Sequence, residues 1–268
     1  MKYGPVLEDI LLNKSRLIEE SKRHNPIVKI EKLLETTNPP PEFKSIFHSD
    51  SVSLIAEIKR SSASAGKIFA NLNLNEIVST YVENGASAIS ILTEKTRFSG
   101  DINDLTEVSS ITKLSNTPTL QKDFVIDEYQ VVEGRANGAS AILVIVSILS
   151  EQDFKKIIDT CKSVNITPLV EVFTEEELNL ALSVDIEVIG INNRNLNNLE
   201  TSLKVFENLG PKVPKEKFVI AESGLKEVQD VELMAEYGAD AVLIGESILK
   251  SNDMPSLINQ LSSVKKCK

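Results

Sequence analysis

The chain has 268 residues, 41% hydrophobic and 25% charged, which is typical of a globular protein with one large α/β domain or two small ones. Its formal net charge of −10 excludes a general nucleic-acid or acidic-membrane surface, because both partners require a basic footprint. Two cysteines are too few for a disulfide scaffold, and no apolar run reaches the roughly 18 residues of a membrane span. We therefore expect a cytoplasmic protein whose partners include neither nucleic acid nor membrane.

Apolar residues at helical spacing predict helices over residues 5 to 35, with an interruption at Pro26. Three prolines at 39–41 end this segment, so residues 1–45 are predicted to form an N-terminal helical extension of a single domain spanning 1–268. Strands are predicted at 52–58, 88–92, 118–121, 140–146, 167–172, 187–191, 217–222 and 240–244. Eight strands alternating with helices predict a (β/α)8 TIM barrel.

One joint between helix and strand occurs three times. Its copies are Asn84-Gly-Ala-Ser-Ala-Ile89, Asn137-Gly-Ala-Ser-Ala-Ile142 and Tyr237-Gly-Ala-Asp-Ala-Val242. In each, a glycine can adopt the left-handed cap conformation that ends a helix, and small residues then begin a strand. Such joints belong to the stability face of a barrel, so functional residues are expected at the opposite ends of the strands.

Polar side chains are concentrated at those opposite ends. On the first strand, alternation puts Glu57 and Lys59 side by side, either as a satisfied ion pair or as half of a site. Further strand ends carry Glu94, Lys122, Glu171, Asn192, Arg194, Glu222 and Glu246. This concentration favours an active site over scattered structural pairs. For single residues the alternatives are rim salt bridges at Glu246 and Arg194 and a turn role for Asn192.

The last two strand ends are typical of a phosphate site. Ser223-Gly224 and Gly245-Glu246 each put a glycine at a strand-to-helix turn, where backbone N–H groups can hold an anion, although simple turn chemistry explains the same pattern. Neither His24 nor His48 is near a strand end, so lysine and carboxylate must transfer protons. No metal-ligand or dinucleotide motif is present, so no cofactor and no metal are expected.

The chain resembles the indole-3-glycerol phosphate synthases along nearly its whole length. The resemblance is carried by Ile55-Ala-Glu-Ile-Lys-Arg-Ser-Ser-Ala-Ser64, Gln121-Lys-Asp-Phe-Val-Ile-Asp127, Leu169-Val-Glu-Val172, Ile189-Gly-Ile-Asn-Asn-Arg194, Ala221-Glu-Ser-Gly224 and Ile244-Gly-Glu-Ser247. It implies a decarboxylating lyase of tryptophan biosynthesis that closes the indole ring of 1-(2-carboxyphenylamino)-1-deoxyribulose 5-phosphate with loss of carbon dioxide and water. It also implies association with other enzymes of that pathway.

The resemblance implies a role for each matching residue. Lys122 corresponds to the general acid, Glu171 to the base or cation stabiliser, and Lys59 to the lysine that contacts the substrate carboxylate and assists proton transfer. Positioning roles fall to Glu57, Asn192 and Glu222. Substrate and phosphate contacts fall to Ser62, Arg194, Ser223, Gly224, Gly245 and Glu246, with Phe98 and Phe124 as apolar wall.

Two positions depart from the family pattern. Ala63 stands where the first loop usually has proline, which predicts a more mobile loop, and Asn195 replaces an aspartate, which predicts a looser Arg194. Two other functions fit the same residues. One is a phosphosugar isomerase or aldolase with Lys122 or Lys59 as a Schiff-base lysine, and the other is a non-catalytic barrel that binds phosphoribosyl ligands.

Overall fold

The computed structural model describes residues 3–62, 66–67 and 73–267. Its strands are β1 (Ser53–Ile58), β2 (Ser61–Ser62), β3 (Gly66–Lys67), β4 (Ala88–Leu92), β5 (Thr119–Lys122), β6 (Ala141–Ile145), β7 (Thr167–Val172), β8 (Val188–Asn192), β9 (Phe218–Glu222) and β10 (Ala241–Ile244). In this part of the chain, eight parallel strands close a barrel in the order β1, β10, β9, β8, β7, β6, β5, β4. Each barrel strand lies within one residue of its predicted bounds, so the (β/α)8 prediction is confirmed.

Side-chain alternation divides the core into two layers. On β1, Leu54, Ala56 and Ile58 belong to the layer between strands and helices, whereas Ile55 belongs to the cluster inside the barrel. Each strand is buried on both faces, which explains the nearly continuous apolar runs in the sequence. Polar side chains are consequently displaced to the strand ends, where the barrel opens.

Helices surround the barrel, and the first of them also reaches the pocket at the carboxyl ends of the strands. They are α1 (Pro5–His24), α2 (Ile27–Thr36), α3 (Leu74–Glu83), α4 (Ile102–Thr112), α5 (Glu128–Ala136), α6 (Glu151–Ser163), α7 (Glu175–Leu182), α8 (Lys204–Leu209), α9 (Val228–Glu236), α10 (Glu246–Leu249) and α11 (Met254–Ser262). After α3, α5 and α9, the repeated joint places Gly85, Gly138 and Gly238 at φ of 108°, 92° and 95°. These left-handed values explain why glycine recurs at that position.

The N-terminal segment contacts both ends of the barrel. It breaks at Asn25–Pro26, so α1 and α2 are separate helices, as the interruption at Pro26 indicated. Leu7 of α1 packs into the cluster inside the barrel, and α2 packs against α5. A 3-10 helix, Phe43–His48, covers the amino-terminal end of the strands, where Phe47 stacks on Phe218 with ring centroids 4.4 Å apart.

A short antiparallel pairing of β2 with β3 follows β1 and was not predicted. Ahead of it, Arg60 makes a two-pronged ion pair with Asp104 of α4, at 2.9 and 2.8 Å, which ties the start of this loop to the outer helix layer. Ala63, where greater mobility was predicted, lies outside the described residues. Among the described helices, none combines the length and apolar character that a membrane span requires.

Candidate active site

A pocket of about 1120 Å³, including the space at its open mouth, lies at the carboxyl ends of the barrel strands. The predicted residues that line it are Glu57, Lys59, Phe98, Lys122, Phe124, Glu171, Asn192, Arg194, Ser223, Gly224, Gly245 and Glu246. Glu222 lies just below, in contact with Lys122. Residues from seven barrel strands and the loops after them therefore meet in one cavity, at the end where barrel enzymes bind their substrates.

Lys122 is the centre of the charge network. Its Nζ lies 3.0 Å from Oε2 of Glu222 and 3.4 Å from Oε2 of Glu171. Burial lowers the pKa of Lys122, but the carboxylates of Glu222, Glu171 and Glu57 raise it more, so the pKa lies above the ordinary lysine value. Lys122 is therefore an ammonium at neutral pH. Its side chain is only 15% exposed, so it lies inside the barrel mouth and not at the predicted rim.

Glu222 is a buried carboxylate with incomplete pairing. Burial, together with the negative charge of Glu171, raises its pKa from 4.5 to about 7, although Lys122 opposes the change. Apart from the Lys122 ammonium, which lies 3.0 Å from Oε2, neither carboxylate oxygen has a hydrogen-bond partner among the described residues. A Cβ at Gly190 of β8 would overlap Oε1 of Glu222, so this glycine makes room for the carboxylate. Glu222 can hold or release a proton near neutral pH.

Glu57 and Lys59 form an ion pair on the opposite wall. Nζ of Lys59 donates to Oε1 of Glu57 at 2.7 Å, and both side chains line the pocket. Burial raises the pKa of Glu57, but Lys59 and the more distant Lys122 lower it more, so the net pKa is below the ordinary value. Glu57 and Lys59 thus form an ion pair, as the structural alternative predicted, and they also line the cavity; their function stays a prediction.

Asn192 orients Glu171. Its Nδ2 donates to Oε1 of Glu171 at 3.0 Å, and its Oδ1 accepts the backbone N–H of Arg194 at 2.9 Å. Asn192 thus serves both as a turn residue and as a pocket residue. The Arg194 side chain is held through Nε by the Thr201 hydroxyl at 3.3 Å. Asn195, at the departure from the family pattern, accepts the backbone N–H of Asn197 at 2.8 Å and shapes the next turn.

The turns after β9 and β10 line the same pocket. Ser223 and Gly224 have φ of 63° and 85°, so two consecutive residues are left-handed, a conformation that glycine tolerates best. A Cβ at Gly245 would lie 2.8 Å from both Cβ and Oε1 of Glu57, so only glycine allows β10 to end against that wall. The Glu246 carboxylate pairs with Lys250 at 2.6 Å, as the rim-bridge alternative predicted, while the residue still lines the pocket.

A buried carboxylate shapes the loop that carries Phe98. Glu94 accepts the backbone N–H groups of Thr96, Arg97 and Phe98 at 2.8, 2.7 and 3.1 Å. Burial raises the pKa of Glu94, but the hydrogen bond from the Thr96 hydroxyl at 2.6 Å and those from the backbone N–H groups of Arg97 and Thr96 lower it more, so the carboxylate stays charged. The loop thereby presents Phe98 to the pocket. Sequence position alone marked Glu94 as a strand-end acid, without showing that its partners would be main-chain donors.

Helix α1 also contributes to the pocket, which the sequence pattern did not predict. Val6, Leu7 and Ile10 of α1 form apolar wall beside Phe98 and Phe124. The spacing of these residues indicated one buried face, yet spacing does not show which surface a helix face covers. The side chain of Ser62 is not among the described ones. His24 and His48 lie away from the pocket, at the end of α1 and beside Phe218.

A metal centre has no support in the part of the chain that the structure describes, which contains no group of three or more histidine, cysteine, aspartate or glutamate side chains suitably placed. What the site offers instead is one ammonium between two carboxylates, a second ion pair opposite, an apolar wall and a set of turn N–H groups. This combination suits acid/base chemistry on a ligand that is partly aromatic and partly anionic.

Structural comparison supports the fold. 3-Hexulose-6-phosphate synthase from Salmonella typhimurium superposes with a TM-score of 0.63 at 14% identity, covering 79% of this chain and 97% of that one. Thiamine phosphate pyrophosphorylase from Pyrococcus furiosus superposes with a TM-score of 0.58, also at 14% identity, covering 79% of this chain and 94% of that one. At such identities the likeness concerns the barrel alone.

Sequence comparison goes further. Indole-3-glycerol phosphate synthase from Dehalococcoides mccartyi strain CBDB1 is 37% identical over 257 residues, which cover 96% of this chain and 99% of the relative. The protein of that name from Methanothermobacter marburgensis is 36% identical over 264 residues, covering 98% of this chain and 93% of the relative. The family model described as indole-3-glycerol phosphate synthase matches residues 7–261. The chain therefore belongs to the indole-3-glycerol phosphate synthase family.

Proposed function

We propose that this protein converts 1-(2-carboxyphenylamino)-1-deoxyribulose 5-phosphate to indole-3-glycerol phosphate in tryptophan biosynthesis, with the pocket at the carboxyl ends of the strands as its active site. The observation that carries the residue assignment is the position of the Lys122 ammonium between Glu171 and Glu222. Family membership supports the reaction, and the charge network supports the assignment of roles.

In the first step the aromatic carbon that bears the carboxylate attacks the substrate ketone. Lys122 gives a proton to the ketone oxygen, which becomes a hydroxyl, and the ring carries the positive charge until carbon dioxide leaves and restores aromaticity. Glu171, held by Asn192, is the carboxylate that stabilises that charge or removes a proton. The apolar wall formed by α1, Phe98 and Phe124 suits the aromatic ring.

In the second step the new hydroxyl leaves as water. It takes up a proton, while a base removes one from the neighbouring carbon so that the ring double bond forms. Lys59 is assigned to contact the substrate carboxylate and to assist these transfers, with Glu57 holding its ammonium. Glu222 lies 3.0 Å from the Lys122 ammonium and has a pKa of about 7, so it can return a proton to Lys122 between turnovers.

The phosphate is assigned to the turns after β9 and β10, through backbone groups of Ser223, Gly224, Gly245 and Glu246, with Ser62 from the first loop. Support comes from the two left-handed residues at the β9 turn and from the barrel position, which is a recurrent phosphate site. Arg194 is assigned to the anthranilate end. The Glu246 side chain is a pair for Lys250, so only its main chain is assigned to the anion.

The raised pKa of Lys122 argues against the aldolase alternative. A Schiff-base lysine must react as a neutral amine, whereas the surrounding carboxylates keep Lys122 protonated. A proton donor needs that charged form. At Lys122 the charge network thus favours acid catalysis over covalent catalysis.

Three further proposals concern the whole chain. We propose that residues 1–268 form one barrel domain with residues 1–45 as its extension, supported by the packing of Leu7 inside the barrel and of Phe47 on Phe218. We also propose a cytoplasmic location, supported by the scarcity of cysteine. Association with other enzymes of tryptophan biosynthesis is proposed from family membership and is testable by co-purification.

A turnover assay tests the function. Purified protein incubated with the carboxyphenylamino-deoxyribulose phosphate should release an indole product, and Lys122→Ala and Glu171→Gln should each lower kcat by about 100-fold or more. Lys155→Met is the matched control, because Lys155 makes an exposed pair with Glu151 on the outer helix α6 and should leave kcat unchanged. Absence of product from the wild type contradicts the proposal, and tight binding without turnover supports the non-catalytic alternative. Borohydride trapping of a substrate adduct would support the aldolase.

A further inference from the structure

A buried ion pair joins α1 to the residue next to Lys122. Nζ of Lys14 lies 2.6 Å from Oδ1 of Asp123, and the two residues are only 6% and 5% exposed. A buried pair of this kind contributes little net stability, because desolvation of both charges offsets their attraction, and apolar substitutes are often as stable. Its presence beside the charge network of Lys122 therefore calls for a reason other than stability.

Asp123 is held at every oxygen. The Thr93 hydroxyl donates to Oδ2 at 2.7 Å, and the backbone N–H of Phe124 donates to Oδ1 at 2.7 Å. The backbone N–H of Thr93 also donates to the carbonyl of Lys122 at 3.0 Å. The main chain at Lys122 is thus held by the residue that follows β4, and the next residue, Asp123, is held by Thr93, by the backbone of Phe124 and by α1. The Lys122 side chain therefore extends from a rigid segment of main chain.

Lys14 is the component of this arrangement that comes from outside the barrel. Without the Lys14 ammonium, Asp123 would be a buried carboxylate with no cation beside it. Its side chain would then have to turn toward solvent or take up a proton. Either change disturbs the hydrogen bonds that hold residues 122–124. A displacement of about 1 Å is enough to lower catalysis about 100-fold.

We propose that Lys14 is a positioning residue, which acts through Asp123 to hold the Lys122 ammonium between Glu171 and Glu222. This inference rests on the proposed role of Lys122 as general acid. It assigns to α1 a second task besides forming apolar wall, since the helix also sets the geometry of the acid. A loss of Lys14 acts on the chemical step and leaves substrate affinity nearly unchanged.

The test compares four variants with the wild type. Lys14→Met should lower kcat by about 10- to 100-fold with KM changed less than about threefold, and Lys14→Arg should recover part of the loss because it keeps a cation on Asp123. Lys14→Met combined with Asp123→Asn removes both charges, so it should recover thermal stability, but it also removes the contact that ties residue 123 to α1, so it should not recover kcat. The matched control is Lys22→Met, which breaks another α1 ion pair, with Asp127 at 2.7 Å, and should leave kcat unchanged.

Crystal structures of the wild type and the double variant provide a readout that does not need turnover. Nζ of Lys122 should move by more than about 0.5 Å from its place beside Oε2 of Glu222, the tolerance within which catalytic groups must be held. An unmoved Nζ overturns the inference whatever the activity, and so does a folded double variant whose kcat stays within about twofold of wild type. An equal loss in Lys22→Met overturns it as well. If the wild type yields no product, the proposed function fails, and the crystal structures decide the role of Lys14 alone.

Discussion

Glu222→Gln should make the protein more stable while impairing its activity. The side chain is 1% exposed, and its pKa is raised from 4.5 to about 7, chiefly by burial. Because the folded pKa exceeds the unfolded one, the folded state binds the proton more tightly, so the ionised carboxylate destabilises the fold at high pH. The effect is absent below about pH 4.5 and grows as the pH rises through about 7.

The magnitude follows from the two pKa values. A rise from 4.5 to about 7, at 1.36 kcal/mol per pKa unit, corresponds to about 3 kcal/mol at most. Glutamine has nearly the same shape and carries no charge, so the variant escapes this penalty. We therefore expect Glu222→Gln to exceed the wild type in free energy of unfolding by about 3 kcal/mol near pH 8, and to equal it near pH 4.5.

Urea unfolding between about pH 3 and 8.5 measures this difference directly and also covers the acid range in which the control changes. Glu57→Gln is the matched control of opposite sign, because Lys59 and Lys122 hold the pKa of the equally buried Glu57 below its ordinary value. Wild type should therefore gain stability over Glu57→Gln as the pH rises from below the folded pKa of Glu57 through the unfolded value near 4.5. A Glu222→Gln difference that does not change with pH, or that falls as pH rises, would refute the reasoning.

Three other substitutions test separate features. Asn192→Ala removes the donor that orients Glu171, so kcat should fall about 10- to 100-fold, and unchanged steady-state kinetics would contradict the positioning role. Gly245→Ala places a methyl group 2.8 Å from Glu57, so kcat/KM should fall at least about tenfold while circular dichroism shows an intact fold; near-normal activity would show that Glu57 need not hold its place. Arg135→Met removes the guanidinium of a residue that is 6% exposed and whose Nε and Nη1 have no hydrogen-bond partner among the described residues, so the free energy of unfolding should rise by about 1 kcal/mol. A lower Tm in thermal unfolding experiments would reveal a partner that stabilises the cation.

Stability and activity conflict at this site for an identifiable reason. In the described part of the chain, Glu222 has no hydrogen-bond partner apart from the Lys122 ammonium, and only glycine at position 190 leaves room for its carboxylate. Burial with so little pairing raises the pKa of this carboxylate to about 7, so it can exchange protons at neutral pH. The same feature that weakens the fold makes the residue suited to proton transfer.

The sequence by itself determined the barrel and most of the pocket. Strand alternation and burial on both faces follow from local side-chain pattern, so all eight barrel strands could be located within one residue. In a parallel barrel the carboxyl ends of all strands meet, so polar residues found there, such as Lys122 and Glu171, could be placed together without knowing any distance.

Only the tertiary structure decided how those residues pair and what lies over them. Lys122 lies closer to Glu222 than to Glu171, and Asp123 is paired with Lys14. Both arrangements depend on packing between segments that are more than 45 residues apart in the sequence. The spacing of apolar residues in α1 indicated an apolar face, but this spacing does not show which surface that face packs against. Pairing, burial and the pKa values that follow from them are properties of three-dimensional neighbours, which local sequence pattern does not specify.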